Sequence, residues 1–164
     1  MKVPTARYPQ AIDAVQQAID HAERRCKENG SRLTKKRKLA LSLLLKSGKA
    51  LSAYELVETY KTELGDTLPA MSMYRILEFL MAENLVHRLD LINKYVACEH
   101  IKSEQEHAQT QFLICGQCHK VKEVTISASV MDALKKNTCD AGFHLASPQL
   151  EMNCICEACM ATGI

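Results

Sequence analysis

Apolar residues recur every three or four positions through the first half of the chain, which predicts a run of amphipathic helices. Between 11 and 28, Ile12, Val15, Ile19, Ala22 and Cys26 share one stripe, and Asn29-Gly30 supplies a stop. A second helix is predicted after Thr34, with Leu39, Leu43 and Leu44 on its buried face and an end before Gly48. The third has the sharpest start. Ser52-Ala-Tyr-Glu55 is a capping box, in which hydroxyl and carboxylate satisfy orphan backbone donors reciprocally. Ala53, Leu56, Val57, Tyr60 and Leu64 then keep helical spacing until Gly65. A fourth helix over 72–83 follows Pro69, with Ser72 as its cap. It buries Met73, Ile76, Leu77, Leu80 and Met81 and leaves Tyr74, Arg75 and Glu78 on the other side.

After Glu83-Asn84 the period changes to two. LVHRLDL and NKYVAC alternate and join around Ile92-Asn93, as a β-hairpin does. Three helices and a hairpin following the first helical stripe are the order of a winged helix-turn-helix, although other small α+β domains share it. The stretch 99–110 (EHIKSEQEHAQT) is polar and reads as a connection. QFLIC and KVKEVTI then read as strands, SASVMDALKKNTCDAGF as a capped helix ending near Gly142, and QLEMNCIC as a strand. The fold class is therefore α+β, an N-terminal winged helix-turn-helix plus a small C-terminal α/β domain. The core of that second domain is too small to stand alone, since domains below roughly 70–80 residues usually need a metal or a partner.

Composition narrows the chemistry. Hydrophobic residues are 47% of the chain and charged residues 24%, ordinary for a globular protein. LALSLLL (39–45) is far short of the roughly 20 apolar residues of a membrane helix, and MKVPTARYPQ has no signal-peptide core. A cytoplasmic location without a membrane partner is expected. Eight cysteines in a reducing compartment point to metal or redox work rather than disulfides. Charge is uneven along the chain. Residues 1–95 hold 16 Lys/Arg against 11 Asp/Glu, whereas 96–164 hold 5 against 8. Within 21–38 the balance is 8 against 2 and includes RLTKKRK. Such a split suits a half that binds a polyanion, though a solvated helix face also carries such charge.

Cys115-Gly-Gln-Cys118 and Cys156-Glu-Ala-Cys159 are two C-x-x-C pairs separated by 37 residues. Each pair can bring two thiolates to one ion, and two pairs complete a closed tetrahedral zinc site with no open position, which makes it structural. Cys154 is an alternative to Cys156, although it would more naturally point to the other side of its strand. Cys26 and Cys139 lie on helical stretches, where a free cysteine is usually a small hydrophobe. A second constellation combines His87 and Cys98 of the hairpin with His107 at the far end of the connection and Glu123 beyond the first C-x-x-C. Two imidazoles, a thiolate and a carboxylate form a set in which soft sulfur favours zinc over iron(II) or manganese. His100 competes with His107 for its place. No Ser-His-Asp or paired-acid constellation appears, so neither an enzyme nor a small-molecule substrate is expected.

RLTKKR, SAYELV, MYRILEFL, LVHRL, KYVAC, FLICGQCHKVKEV and the final CEAC together resemble the ferric uptake regulator family over roughly 20–160. Cys98, and a HAQTQ stretch with a single histidine, resemble its zinc-uptake branch. The resemblance implies a winged-helix DNA-binding domain (1–95), a hinge (96–110) and a dimerisation domain (111–164). It implies two zinc ions per protomer, one structural at Cys115, Cys118, Cys156 and Cys159, the other sensory at His87, Cys98, His107 and Glu123. It also implies a homodimer that represses zinc-uptake genes by binding palindromic double-stranded DNA when the sensory zinc is present. The alternative is an iron-, manganese- or peroxide-responsive member. The family's recognition helix opens Pro-Thr-Val-Tyr-Arg, whereas this chain has Met71-Ser72-Met73-Tyr74-Arg75. Ser72, Tyr74, Arg75 and Tyr54 take the DNA-facing positions, with Arg75 suited to bidentate contact with guanine. Arg32, Lys35, Lys36 and Arg37 read as phosphate contacts, in an LTKKR that departs from the family's commoner LTPQR.

Overall fold

Helix stops fall where the hydrophobic stripes break. In the computed structural model, which describes residues 8–103, 109–147 and 149–163, α1 (Tyr8–Glu28), α2 (Lys35–Ser47), α3 (Ala53–Leu64) and α4 (Ala70–Ala82) precede the hairpin of β1 (Val86–Leu89) and β2 (Lys94–Ala97). Gly65 ends α3 at φ 65°, a left-handed conformation that costs glycine little, and its N–H donates to the Lys61 carbonyl. The stripes converge on one core in which Leu41, Leu44, Leu56, Tyr60, Met73 and Leu77 are almost fully buried. Each such side chain contributes about 1.5–3 kcal/mol of transfer free energy. The hairpin pairs Val86 with Ala97 through Leu89 with Lys94. Tyr95 also exchanges both backbone hydrogen bonds with Leu51, 2.9 and 2.7 Å, which ties the wing to the start of α3.

The capping box is present in full. The Glu55 N–H donates to Ser52 Oγ (3.1 Å) and the Ser52 N–H to Glu55 Oε2 (2.6 Å). The other carboxylate oxygen of Glu55 pairs with Lys94 Nζ at 3.0 Å, a second tie between α3 and β2. The Ser52 backbone donor, and then Lys94, hold the Glu55 carboxyl below its ordinary value of 4.5. Ser52→Ala is expected to cost about 1 kcal/mol in urea unfolding of the zinc-loaded protein at pH 7. A carboxyl lowered on folding stabilises above its ordinary pKa and loses that contribution as pH falls through its folded value. The destabilisation by Glu55→Gln should therefore shrink as the pH is taken below about 4.5.

Ser72 is not the cap of α4. The helix begins two residues earlier, with Pro69 as the cap residue and the Ser72 N–H bonded to the Pro69 carbonyl at 2.9 Å. Proline's fixed φ suits a helix entry, where its missing N–H matters least, so the helix extends back to it. Ser72 stays in the first turn.

The second unit, Glu104–Ile164, is separate from the first, Met1–Ser103. It contains β3 (Thr110–Cys115), β4 (Val121–Thr125), α5 (Ala128–Asp140), β5 (Leu150–Cys154) and α6 (Glu157–Thr162). β3 is central, antiparallel to β4 and parallel to β5. Parallel neighbours need a long crossover, and here β4, α5 and the segment after it provide one. Ser127 caps α5 by accepting from the Val130 N–H. Little of this unit is buried: Phe112, Ile114, Ile126 and Met131 form its apolar interior, while Val130, Phe143, Met152, Ile155 and Met160 are exposed. Cys26 is a buried hydrophobe, as its helical setting predicts. Cys139 is exposed, with Sγ 3.5 Å from His144 Nδ1. The short helix α6 leaves no signal in the sequence, because six residues are too few to show a periodicity. No helix among the described residues is long and apolar enough to cross a membrane.

Candidate metal centres and nucleic-acid interface

Parallel pairing of β3 with β5 runs both strands toward the same end of the sheet, and the register sets Cys115 beside Cys154. The two C-x-x-C turns therefore leave the sheet side by side. The Gly116 N–H donates to the Cys154 carbonyl at 2.9 Å. A Cβ on Gly116 would stand 2.8 Å from the Asn153 side-chain oxygen, so a larger residue there would turn that exposed side chain aside. Across the gap, Cys115 Sγ lies 3.8 Å from Cys159 Sγ, and Cys118 Sγ lies 3.7 Å from Cys156 Sγ. All four sulfurs are within 4.8 Å of one another. A tetrahedron with Zn–S bonds of about 2.3 Å has edges of about 3.8 Å. The four thiols thus fit one zinc ion. Cys154 lies outside the group, because it is the last residue of β5, whereas Cys156 is the cap residue of α6.

The electrostatics of the group call for a cation. N–H groups of Cys118, Cys156 and Gln117 aim at the Cys115 sulfur and pull its pKa down to about 6. Cys156 is lowered in the same way, first by the Cys159 N–H. Hydrogen bonding with the Cys156 and Cys118 sulfurs pushes the Cys159 pKa up to about 12. Some thiolates form readily here, but four together need a counter-charge, which a divalent metal supplies.

The first unit carries a second pair of groups that could hold a metal. His87 sits on β1 opposite Val96, and Cys98 follows β2 with its N–H bonded to the Leu85 carbonyl at 3.0 Å. A ring nitrogen of His87 and the Cys98 sulfur lie within 4.8 Å of one another. Cys98 is 2% exposed, and its sulfur accepts the His100 N–H at 3.4 Å. The turn after it is anchored by Arg25 of α1, whose Nη2 donates to the Ile101 carbonyl at 3.1 Å and to the His100 carbonyl at 3.5 Å. Arg25 carries no local signal of this role, because interactions across 75 residues leave no mark in a single sequence. In the second unit Glu123 lies on β4 opposite Phe112, a carboxylate only 5% exposed. His107 lies outside the described residues.

Basic and aromatic residues are exposed on α2, α3 and α4. α3 and α4 form the helix-turn-helix. Tyr54, at the start of α3, is exposed, and its ring meets Tyr74 of α4 edge-to-face with centroids 6.5 Å apart. Arg75 is exposed one residue further on, and Ser72 is half-buried in the first turn. Arg32, Lys35 and Lys36 are exposed at the entry to α2. Arg37 differs from those three. Its guanidinium lies 3.5 Å above the Phe79 ring, and Nη1 donates to the Arg32 carbonyl at 2.7 Å. It braces α2 against α4 by a cation–π contact.

Comparison with known proteins bears on this arrangement. The profile of the ferric uptake regulator family matches residues 28–153, most of both units. The chain belongs to the ferric uptake regulator family. Within the family its zinc-uptake branch is marked by similarity to the zinc uptake regulation protein of Escherichia coli (strain K12). Identity is 31% over 145 residues, covering 88% of this chain and 82% of that protein. Two solved structures resemble this family member. A zinc uptake regulator complexed with zinc and DNA superposes with a TM-score of 0.77 at 28% identity, covering 91% of this chain and 97% of that one. The holo form of XcZur superposes with a TM-score of 0.72 at 35% identity, covering 87% and 96%.

Proposed function

We propose that this member of the ferric uptake regulator family is a zinc-responsive transcriptional repressor of zinc-uptake genes. It acts in the cytoplasm as a homodimer on a palindromic operator and has no catalytic role. Each protomer holds two zinc ions. Cys115, Cys118, Cys156 and Cys159 bind the structural ion, whose closed coordination leaves no place for a substrate. His87, Cys98, His107 and Glu123 bind the sensory ion. The observation that carries this reading is a buried thiol, Cys98, within 4.8 Å of the His87 imidazole. A sulfur ligand in an otherwise N/O set favours zinc over iron(II) or manganese. The relatives named for zinc uptake, one of them in complex with zinc and DNA, support the same assignment.

When bound, the sensory zinc supplies a cross-link among its own ligands. The protein's own residues do the rest. Arg25 holds the turn that presents Cys98, and α4 presents Ser72, Tyr74 and Arg75 to the major groove with Tyr54 beside them. Arg32, Lys35 and Lys36 face the phosphates, while Arg37 beside them is held on Phe79. The exposed apolar residues of the second unit, Val130 and Phe143 among them, support burial against a second copy.

Fluorescence anisotropy with a labelled palindromic operator of the zinc-uptake type tests the reading across buffered free zinc, with parallel iron(II) and manganese series. Binding should appear only as zinc rises. Binding that ignores zinc and follows another metal would move the chain to a different branch. Replacing Lys35 or Lys36 by alanine should weaken binding to all sequences alike. Each change should flatten the slope of log K against log salt by about one for every phosphate the side chain had neutralised. Arg37→Ala should instead lower the unfolding midpoint, because its guanidinium is engaged with Phe79.

A further inference from the structure

The apolar residues of α4 differ in burial. Met73, Leu77 and Leu80 are fully buried, whereas Met71 is 66% exposed. Isolated apolar residues are common on protein surfaces and by themselves mean nothing. The position of this one is informative. Met71 is the second residue of α4, four before Arg75 and three before Tyr74, so the three share one face of the helix. The N-terminal residues of a recognition helix are those that reach base edges. Tyr54, another large side chain that is exposed, stands at the start of α3 against Tyr74. Met71 therefore extends a partly apolar edge on a surface otherwise made of Arg75, Ser72 and the basic entry to α2.

We propose that Met71 is a specificity-determining residue whose side chain packs on the 5-methyl group of a thymine in the major groove, next to the base pair read by Arg75. The inference rests on the DNA-binding reading given above. A thioether without a donor gains little from the hydrogen-bonding edges of bases. The thymine methyl is the apolar group that the major groove offers to such a residue. Methionine's unbranched, flexible chain adapts to such a contact. The side chain is free to do so because the helix does not need it for its own packing.

Uracil, which lacks that methyl and pairs identically, provides the test. Duplexes selected from a randomised library by the zinc-loaded, full-length protein are resynthesised with uracil at one thymine at a time, symmetrically in both half-sites. The expected result is one symmetric pair at which uracil weakens binding about fourfold per half-site, the value of one buried methyl group. Met71→Ala should bind the thymine duplex more weakly and lose the thymine-to-uracil difference at that pair while keeping it unchanged elsewhere. Met71 is exposed, so the variant should keep the wild-type circular dichroism spectrum. No sensitive thymine, or a sensitivity that persists undiminished in Met71→Ala, would overturn the inference while leaving the repressor reading intact. Failure of the zinc-loaded protein to select any duplex would remove the repressor reading itself.

Discussion

Cys118→Ser is expected to unfold the second unit and, with it, the dimer. Cys118 is exposed, so its replacement removes almost no packing and the effect isolates metal ligation. The apolar interior of that unit amounts to Phe112, Ile114, Ile126, Met131 and a few half-buried neighbours. A core this small leans on its cross-link. Structural zinc contributes on the order of 10 kcal/mol or more at neutral pH, and a three-ligand remnant retains only part of that. Metal analysis of the purified variant should find one zinc fewer per protomer, and sedimentation should find monomer or aggregate. The first unit has its own core and should keep its helical circular dichroism. A Cys118→Ser protein that retains both its zinc and its dimer would show that the four-thiol group is not the structural site. Chelation should give the same phenotype, and more easily at low pH. The thiolates that bind metal must then compete with protons, including at Cys159, whose own pKa is pushed up to about 12.

Cys98→Ser should produce the opposite dissociation, a folded dimer that no longer responds to zinc. The Cys98 backbone bond to Leu85 is unaffected by the change, and a serine hydroxyl can still accept the His100 N–H. The fold should survive, whereas the soft ligand is removed. If the zinc-free protein is competent to bind operator about 1% of the time and the loaded protein about 99%, zinc strengthens operator binding about 100-fold. The corresponding differential zinc affinity is about 5.5 kcal/mol. In the serine variant that gain should shrink toward unity at free zinc levels where the wild type is saturated, with dimerisation unchanged. Undiminished zinc dependence in this variant would remove Cys98 from the sensory set.

Both experiments depend on residues visible in the sequence, and so did most of the first unit. The stripes Leu39–Leu43–Leu44 and Met73–Ile76–Leu77–Leu80 repeat at the helical period, and Ser52 and Glu55 stand three apart, so their interactions form within a turn or two of chain. The helix limits were less legible. α4 starts at Ala70 rather than Ser72 because proline and serine both suit a helix entry, and only the folded backbone chooses between them.

By itself, the sequence determined the periodic elements, the capping box, the hairpin and the two C-x-x-C pairs, because each is an energetic preference satisfied within a few residues. The family resemblance lay in those same local motifs. Only the tertiary structure decided which strands are neighbours. The parallel β3–β5 pairing joins residues about forty apart, sets the two cysteine turns side by side and leaves Cys154 rather than Cys156 outside the thiol group. Likewise it set Arg37 over Phe79, Arg25 on the turn beyond Cys98 and Lys94 on Glu55. These interactions cross long stretches of chain. Their energies depend on how separate elements pack, and no local pattern of residue types encodes that distance.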